Sequence, residues 1–122
     1  MKPSKITLSV VHELRASHSL PGFETPHFHL WKIQVKYQAA LPLKKDKVVD
    51  MVELESVIAK ICAPLEGTYL NDTQAFSPTC EELAQWLWEK LAEKIDVANL
   101  RAVRLTLCNL SGIEMGYAEV ER

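Results

Sequence analysis

The chain has 122 residues, a formal net charge of -2 and 48% hydrophobic residues, which is material for one core and one domain over residues 1–122. A sequence pI near 6.1 without any Lys/Arg run argues against phosphate-backbone binding, so nucleic acid is not an expected partner. Met1-Lys2-Pro3-Ser4-Lys5 opens no apolar leader and no run approaches the roughly 20 residues that span a bilayer, so no membrane partner is expected and a soluble cytoplasmic protein is.

From Ile6 the two parities separate. Ile6, Leu8, Val10, His12, Leu14, Ala16 and His18 share one, while Thr7, Ser9, Glu13, Arg15 and Ser17 fall on the other. Period two predicts a half-buried strand. His27, His29, Trp31, Ile33, Val35 and Tyr37 alternate with Lys32, Gln34, Lys36 and Gln38 in a second. Between them Ser19 to Pro26, with Pro21-Gly22, is expected to be a loop joining antiparallel neighbours. After a polar turn at Lys44 to Lys47, Asp50 with Glu53 makes a capping-box-like start. Val52, Leu54, Val57, Ile58, Ile61 and Leu65 then follow at helical spacing until Pro64 and Gly67. Thr79 with Glu82 repeats the signal, and Leu83, Trp86, Leu87 and Leu91 form a stripe of period 3.6. Val103, Leu105 and Leu107 predict a third strand, Ser111-Gly112 a turn, and Met115 to Val120 a fourth. The predicted order is ββααββ, an α+β fold.

Chemistry concentrates where the first two strands meet. If they pair, His18 at the end of one faces His27 and His29 at the start of the next, all three on the inward parity. A His-x-His pair on a strand spaces its side chains about 7 Å apart at the backbone, within reach of one ion. Three imidazoles with one position left for water or substrate is the usual layout of a catalytic zinc site, so Zn2+ is the expected cofactor. An isolated His-x-His reads more simply as two rim histidines; the third, in register, favours the metal. His12 lies about 20 Å back along the strand and is read as a core or interface residue. Cys62, Cys80 and Cys108 lack C-x-x-C spacing and are read as reduced, mostly buried thiols.

The chain resembles the 6-pyruvoyl-tetrahydropterin synthase and 6-carboxy-tetrahydropterin synthase family, over nearly its whole length. Arg15-Ala16-Ser17-His18-Ser19-Leu20 is similar to that family's Ala-Ala-His-Arg-Leu, and His27-Phe28-His29 to its His-Gly-His. Val49 to Leu54 is similar to Ile-Asp-Phe-x-x-Leu, Tyr69 to Asp72 to Tyr-Leu-Asn-Asp, and Ser77 to Ala84 to Asn-Pro-Thr-Ser-Glu-x-Leu-Ala. The resemblance implies the tunnelling fold, with four antiparallel strands carrying two helices on one face. It also implies zinc on His18, His27 and His29, a homo-oligomer in which trimers join their strands into a barrel and stack into a hexamer, and a pterin-like substrate between subunits with the backbone near Thr79 against its ring.

The chain also departs from the family. The catalytic Cys of the carboxy-pterin branch falls at Phe23, while Glu24 matches a smaller branch, acting on dihydroneopterin, that carries Glu three residues before the His pair. The Asp-His relay of Leu-Asp-His-His-Tyr becomes Glu66-Gly67. The pterin-anchoring glutamate after the third strand falls at Leu107 or Asn109. Losing one acid/base group typically costs about 10²- to 10⁴-fold in rate, so the expected catalytic residues are Glu24 and Glu66, and the expected substrate contacts Thr79 and Asn109. Cys80 after Thr79 is read first as a small buried thiol and second as a thiolate at a helix start. Two functions follow: a zinc lyase acting on a dihydropterin, or a non-catalytic zinc-binding paralogue that holds such a ligand or serves in assembly.

Overall fold

A computed structural model describes residues 1–20, 23–44, 50–73 and 75–122, with Phe23 and Glu24 described in backbone only. Strands β1 (Lys5–Leu20) and β2 (Phe23–Ala40) are followed by helices α1 (Met51–Cys62) and α2 (Cys80–Ala92), then β3 (Leu100–Cys108) and β4 (Glu114–Glu121). The strands form one antiparallel sheet in the order β1-β2-β3-β4, and both helices contribute to the core against it. This is the expected ββααββ order.

The alternation in β1 and β2 has a direct consequence. Leu14, Trp31, Ile33 and Val35 are fully buried on one face, while Gln34 and Gln38 reach Ser9 and Thr7 on the other. Helix α1 presents Leu54, Ile58 and Cys62 to the core at four-residue intervals, and α2 presents Leu83, Leu87 and Leu91. Four-residue spacing keeps each set on one helical face.

Several boundaries move. Ser19, Leu20 and Phe23–Pro26 belong to strands, so only Pro21 and Gly22 remain between β1 and β2 instead of an eight-residue loop. The pairing goes from His18↔His27 to Leu20↔Phe23 through an irregularity opposite Ser19, and the Ser19 amide donates to Asn71 Oδ1 at 2.9 Å. Pro26 lies within that irregular stretch, where its missing N–H breaks no regular ladder bond. The expected first helix ends at Cys62, and Ala63–Leu65 tighten into a 3-10 turn at Pro64. Val52, expected on its apolar face, is exposed. Asp50 caps α1 by accepting from the Val52 amide at 2.8 Å. Of the polar turn at Lys44 to Lys47, only Lys44 lies within the described residues. No helix among the described residues is long and apolar enough to cross a membrane.

Candidate metal centre and adjoining cavity

Strand register brings the histidines together. His18 pairs directly with His27, and His29 sits across from Ala16, two positions further along the same inward face. The ring centroids lie 4.8 Å (His18 to His27), 4.9 Å (His18 to His29) and 4.7 Å (His27 to His29) apart. Their ligand atoms all lie within 4.8 Å of one another. His18 and His29 are buried and His27 is exposed, so the cluster opens on one side.

Each ring is held by its Nδ1. His18 Nδ1 lies 2.8 Å from the Pro78 carbonyl, His27 Nδ1 3.2 Å from that of Thr25, and His29 Nδ1 3.1 Å from that of Cys108. A carbonyl only accepts, so each Nδ1 carries the proton and donates it, leaving three Nε2 lone pairs. That is the arrangement by which protein scaffolds orient metal-binding imidazoles. Burial, and secondarily the His18 and His27 rings, lowers the His29 pKa from 6.5, against the opposing pull of the Cys108 carbonyl. Its ring is therefore neutral at pH 7 and able to ligate. Three imidazole nitrogens suit a divalent transition ion; calcium and magnesium take oxygen-rich sites.

Trp31 locks the back of the cluster. Its ring stands edge-on to His18 at 5.0 Å between centroids, and its Nε1–H donates to the Ala16 carbonyl at 3.1 Å. Through His18 the cluster adjoins a cavity of about 410 Å³ walled by His18 and Trp31, by Thr79, Cys80 and Glu81 of the α2 start, and by the β3–β4 hairpin. Pro78, whose carbonyl orients His18, immediately precedes the Thr79 cap of α2, so that helix start serves both the cavity and the histidine cluster.

The other expected site residues scatter. Thr79 lines the cavity, and its Oγ1 accepts from the Glu82 amide at 3.3 Å, leaving the hydroxyl hydrogen to donate. The Asn109 Oδ1 accepts from the Ser111 and Ile113 amides, both at 3.0 Å, and so ties the hairpin. Glu66 is exposed and outside the cavity wall; its Oε2 accepts from the Arg15 amide at 3.3 Å, three residues before Tyr69 reaches the β1 edge beside Ser17. The Glu24 side chain lies outside the described residues. Glu114, at the start of β4, is exposed, with Lys32 Nζ 3.4 Å away. His12 is half-buried and bonded to Glu55 at 3.0 Å, which places it in the packing of α1 on β1.

Burial pushes the Cys80 thiol up to about 11, with a further push from Glu81. It is therefore a neutral thiol at pH 7, and desolvation overrides the helix-start effect that would favour thiolate. Cys62 is pushed up to about 12 for the same first reason. Sequence reasoning passed over Glu81, which is the one carboxylate among the described residues lining the cavity. A first-turn glutamate is ordinarily explained by the helix dipole, and that concealed its second position at a cavity wall.

The chain matches the family model described as 6-pyruvoyl tetrahydropterin synthase over residues 5–118. Similar solved structures include the Caenorhabditis elegans 6-pyruvoyl tetrahydropterin synthase, with a TM-score of 0.74 at 16% identity, covering 97% of this chain and 96% of that one. The Plasmodium falciparum enzyme of the same description has a TM-score of 0.67 at 15% identity, with 98% and 99% covered. A Plasmodium vivax form in which a catalytic glutamate is replaced by cysteine has a TM-score of 0.70 at 16% identity, again with 98% and 99% covered. At such identities these likenesses concern the fold.

Proposed function

Because the chain belongs to the 6-pyruvoyl tetrahydropterin synthase family, we propose that it is a zinc-dependent lyase acting on a dihydropterin held in the cavity beside His18. The observation that carries this reading is the set of three imidazoles with every Nδ1–H committed to a backbone carbonyl, one of which, His18, lines a cavity of about 410 Å³. Zinc held by His18, His27 and His29 supplies Lewis-acid polarisation of a hydroxyl or carbonyl oxygen on the substrate side chain.

The chain's own groups do the rest. Glu24, three residues before His27, takes the proton released from the substrate side chain; a catalytic glutamate in the Plasmodium vivax relative supports that choice of residue type. Glu81 accepts from the N–H edge of the ring, Thr79 donates its hydroxyl, and Asn109 holds the hairpin wall in place. Glu66, at the place of the relay's Asp, is assigned to a site completed by a neighbouring copy, an assignment supported only by its position outside the cavity of its own chain. The exposed Phe28, Leu110, Ile113 and Met115 favour assembly into a homo-oligomer, which we take to be a hexamer of two trimers.

The second reading is a paralogue that binds a pterin-like ligand without converting it, favoured by Gly67 at the place of the relay imidazole. The test offers zinc-loaded protein dihydroneopterin and its triphosphate and separates the products. The account expects turnover of at least one, falling about 10²- to 10⁴-fold in Glu24→Gln with zinc retained. Unchanged turnover in that variant removes Glu24 from the mechanism, and ligand binding without turnover in the native chain selects the paralogue.

A further inference from the structure

Gly116 lies inside strand β4, a position where glycine weakens a strand and ordinarily marks a turn, a bulge or a close approach. The backbone does not require it. Positive φ among the described glycines is confined to Gly67 and Gly112, and a Cβ built on Gly116 meets nothing within 4 Å. A pairing irregularity lies next to it, between Leu107↔Gly116 and Cys108↔Glu114, yet a bulge demands glycine only where φ turns positive. Neither crowding nor conformation explains the residue.

Its register supplies the explanation. Gly116 is opposite Leu107, and paired residues project to the same face of a sheet. Both line the cavity that His18, Trp31 and Glu81 also wall. The missing side chain therefore leaves open the hairpin side of the cavity, across from the start of α2.

We infer that Gly116 is a specificity-determining residue: its bare backbone is the surface against which a planar bicyclic nitrogen heterocycle lies, between Leu107 and the start of α2. The inference deepens the function proposed above and rests on the same cavity. A side chain at 116 would fill the slot while leaving His18, His27 and His29 untouched, since none of them pairs with β4.

The experiment compares zinc-loaded native chain with Gly116→Ala and Gly116→Val, titrated with pterin, lumazine and guanine and followed by ligand fluorescence or calorimetry. Thermal stability, zinc content and sedimentation are measured alongside. The expected result is graded loss of heterocycle affinity, roughly tenfold to hundredfold in Gly116→Val, with zinc content and oligomeric state unchanged and stability equal or raised. Affinity within twofold of native in Gly116→Val overturns the inference, as does a native chain that binds none of the three compounds. So does a change of oligomeric state in either variant, because the slot would then belong to a second copy. Native binding of lumazine or guanine without pterin, lost in Gly116→Val, keeps the inference and removes the pterin reading instead.

Discussion

His18, His27 and His29 differ in exposure but share one device, an Nδ1–H spent on a main-chain carbonyl, so the orientation of the three Nε2 atoms is fixed by backbone geometry. Cys80 illustrates how the environment decides a residue's chemistry. At the first position of α2 its thiol is raised to about 11, so the neutral form persists through physiological pH. Alkylation of Cys80 by iodoacetamide at pH 8 should therefore be much slower than that of a free thiol, and its rate should keep rising as pH climbs toward the raised value. Mass spectrometry of single-cysteine forms measures this, and a Cys80 rate at pH 8 equal to that of unfolded chain contradicts it. The three histidines were legible in the sequence because strand parity alone places them on one face at paired ends. Glu81 was not, because a carboxylate in the first turn of a helix already has a sufficient local reason to be there. Asn109 shows the converse: a polar residue in an anchoring position has its oxygen taken up by the amides of the turn.

At the scale of elements, the start of α2 ties helix stability to the histidine cluster. Thr79 caps the helix, and the preceding Pro78 carbonyl orients His18. Thr79→Ala should lower stability by about 0.5–2 kcal/mol, the usual cost of a lost cap. It should also weaken metal affinity by roughly 10- to 100-fold if the orienting carbonyl shifts with the cap. Denaturant titration and a competitive zinc titration measure the two effects, with Thr79→Ser restoring both; stability loss without any change in metal affinity contradicts the coupling. The caps at Asp50 and Thr79 were readable because a side chain that satisfies a helix-start amide is a local event in sequence. The link between β1 and β2 was not, because the strands continue past His18 through an irregular pairing whose Ser19 amide is taken by Asn71, 52 residues away, a contact no local pattern records. Strand β3 also exceeded simple alternation: Ala102, Thr106 and Cys108 are buried beside Val103 and Leu105, an effect of neighbours on both sides that no local pattern records.

Across the whole molecule, the fold gathers into one region the ends of β1 and β2, the start of α2 and the β3–β4 hairpin. Each supplies something different: imidazoles, a cap with a carboxylate, and an open wall. The order of elements was legible throughout, while the cavity was not, since it exists only where these distant segments meet. The proposed chemistry requires the three imidazoles to act as a metal centre. The most direct measurement is elemental analysis of the folded full-length chain after equilibration with zinc and removal of excess, beside His18→Ala and His29→Ala variants checked for folding by circular dichroism. The account predicts close to one zinc per native chain and loss of stoichiometric zinc in either folded variant; a folded native chain that retains no zinc, or variants that retain it in full, would contradict it.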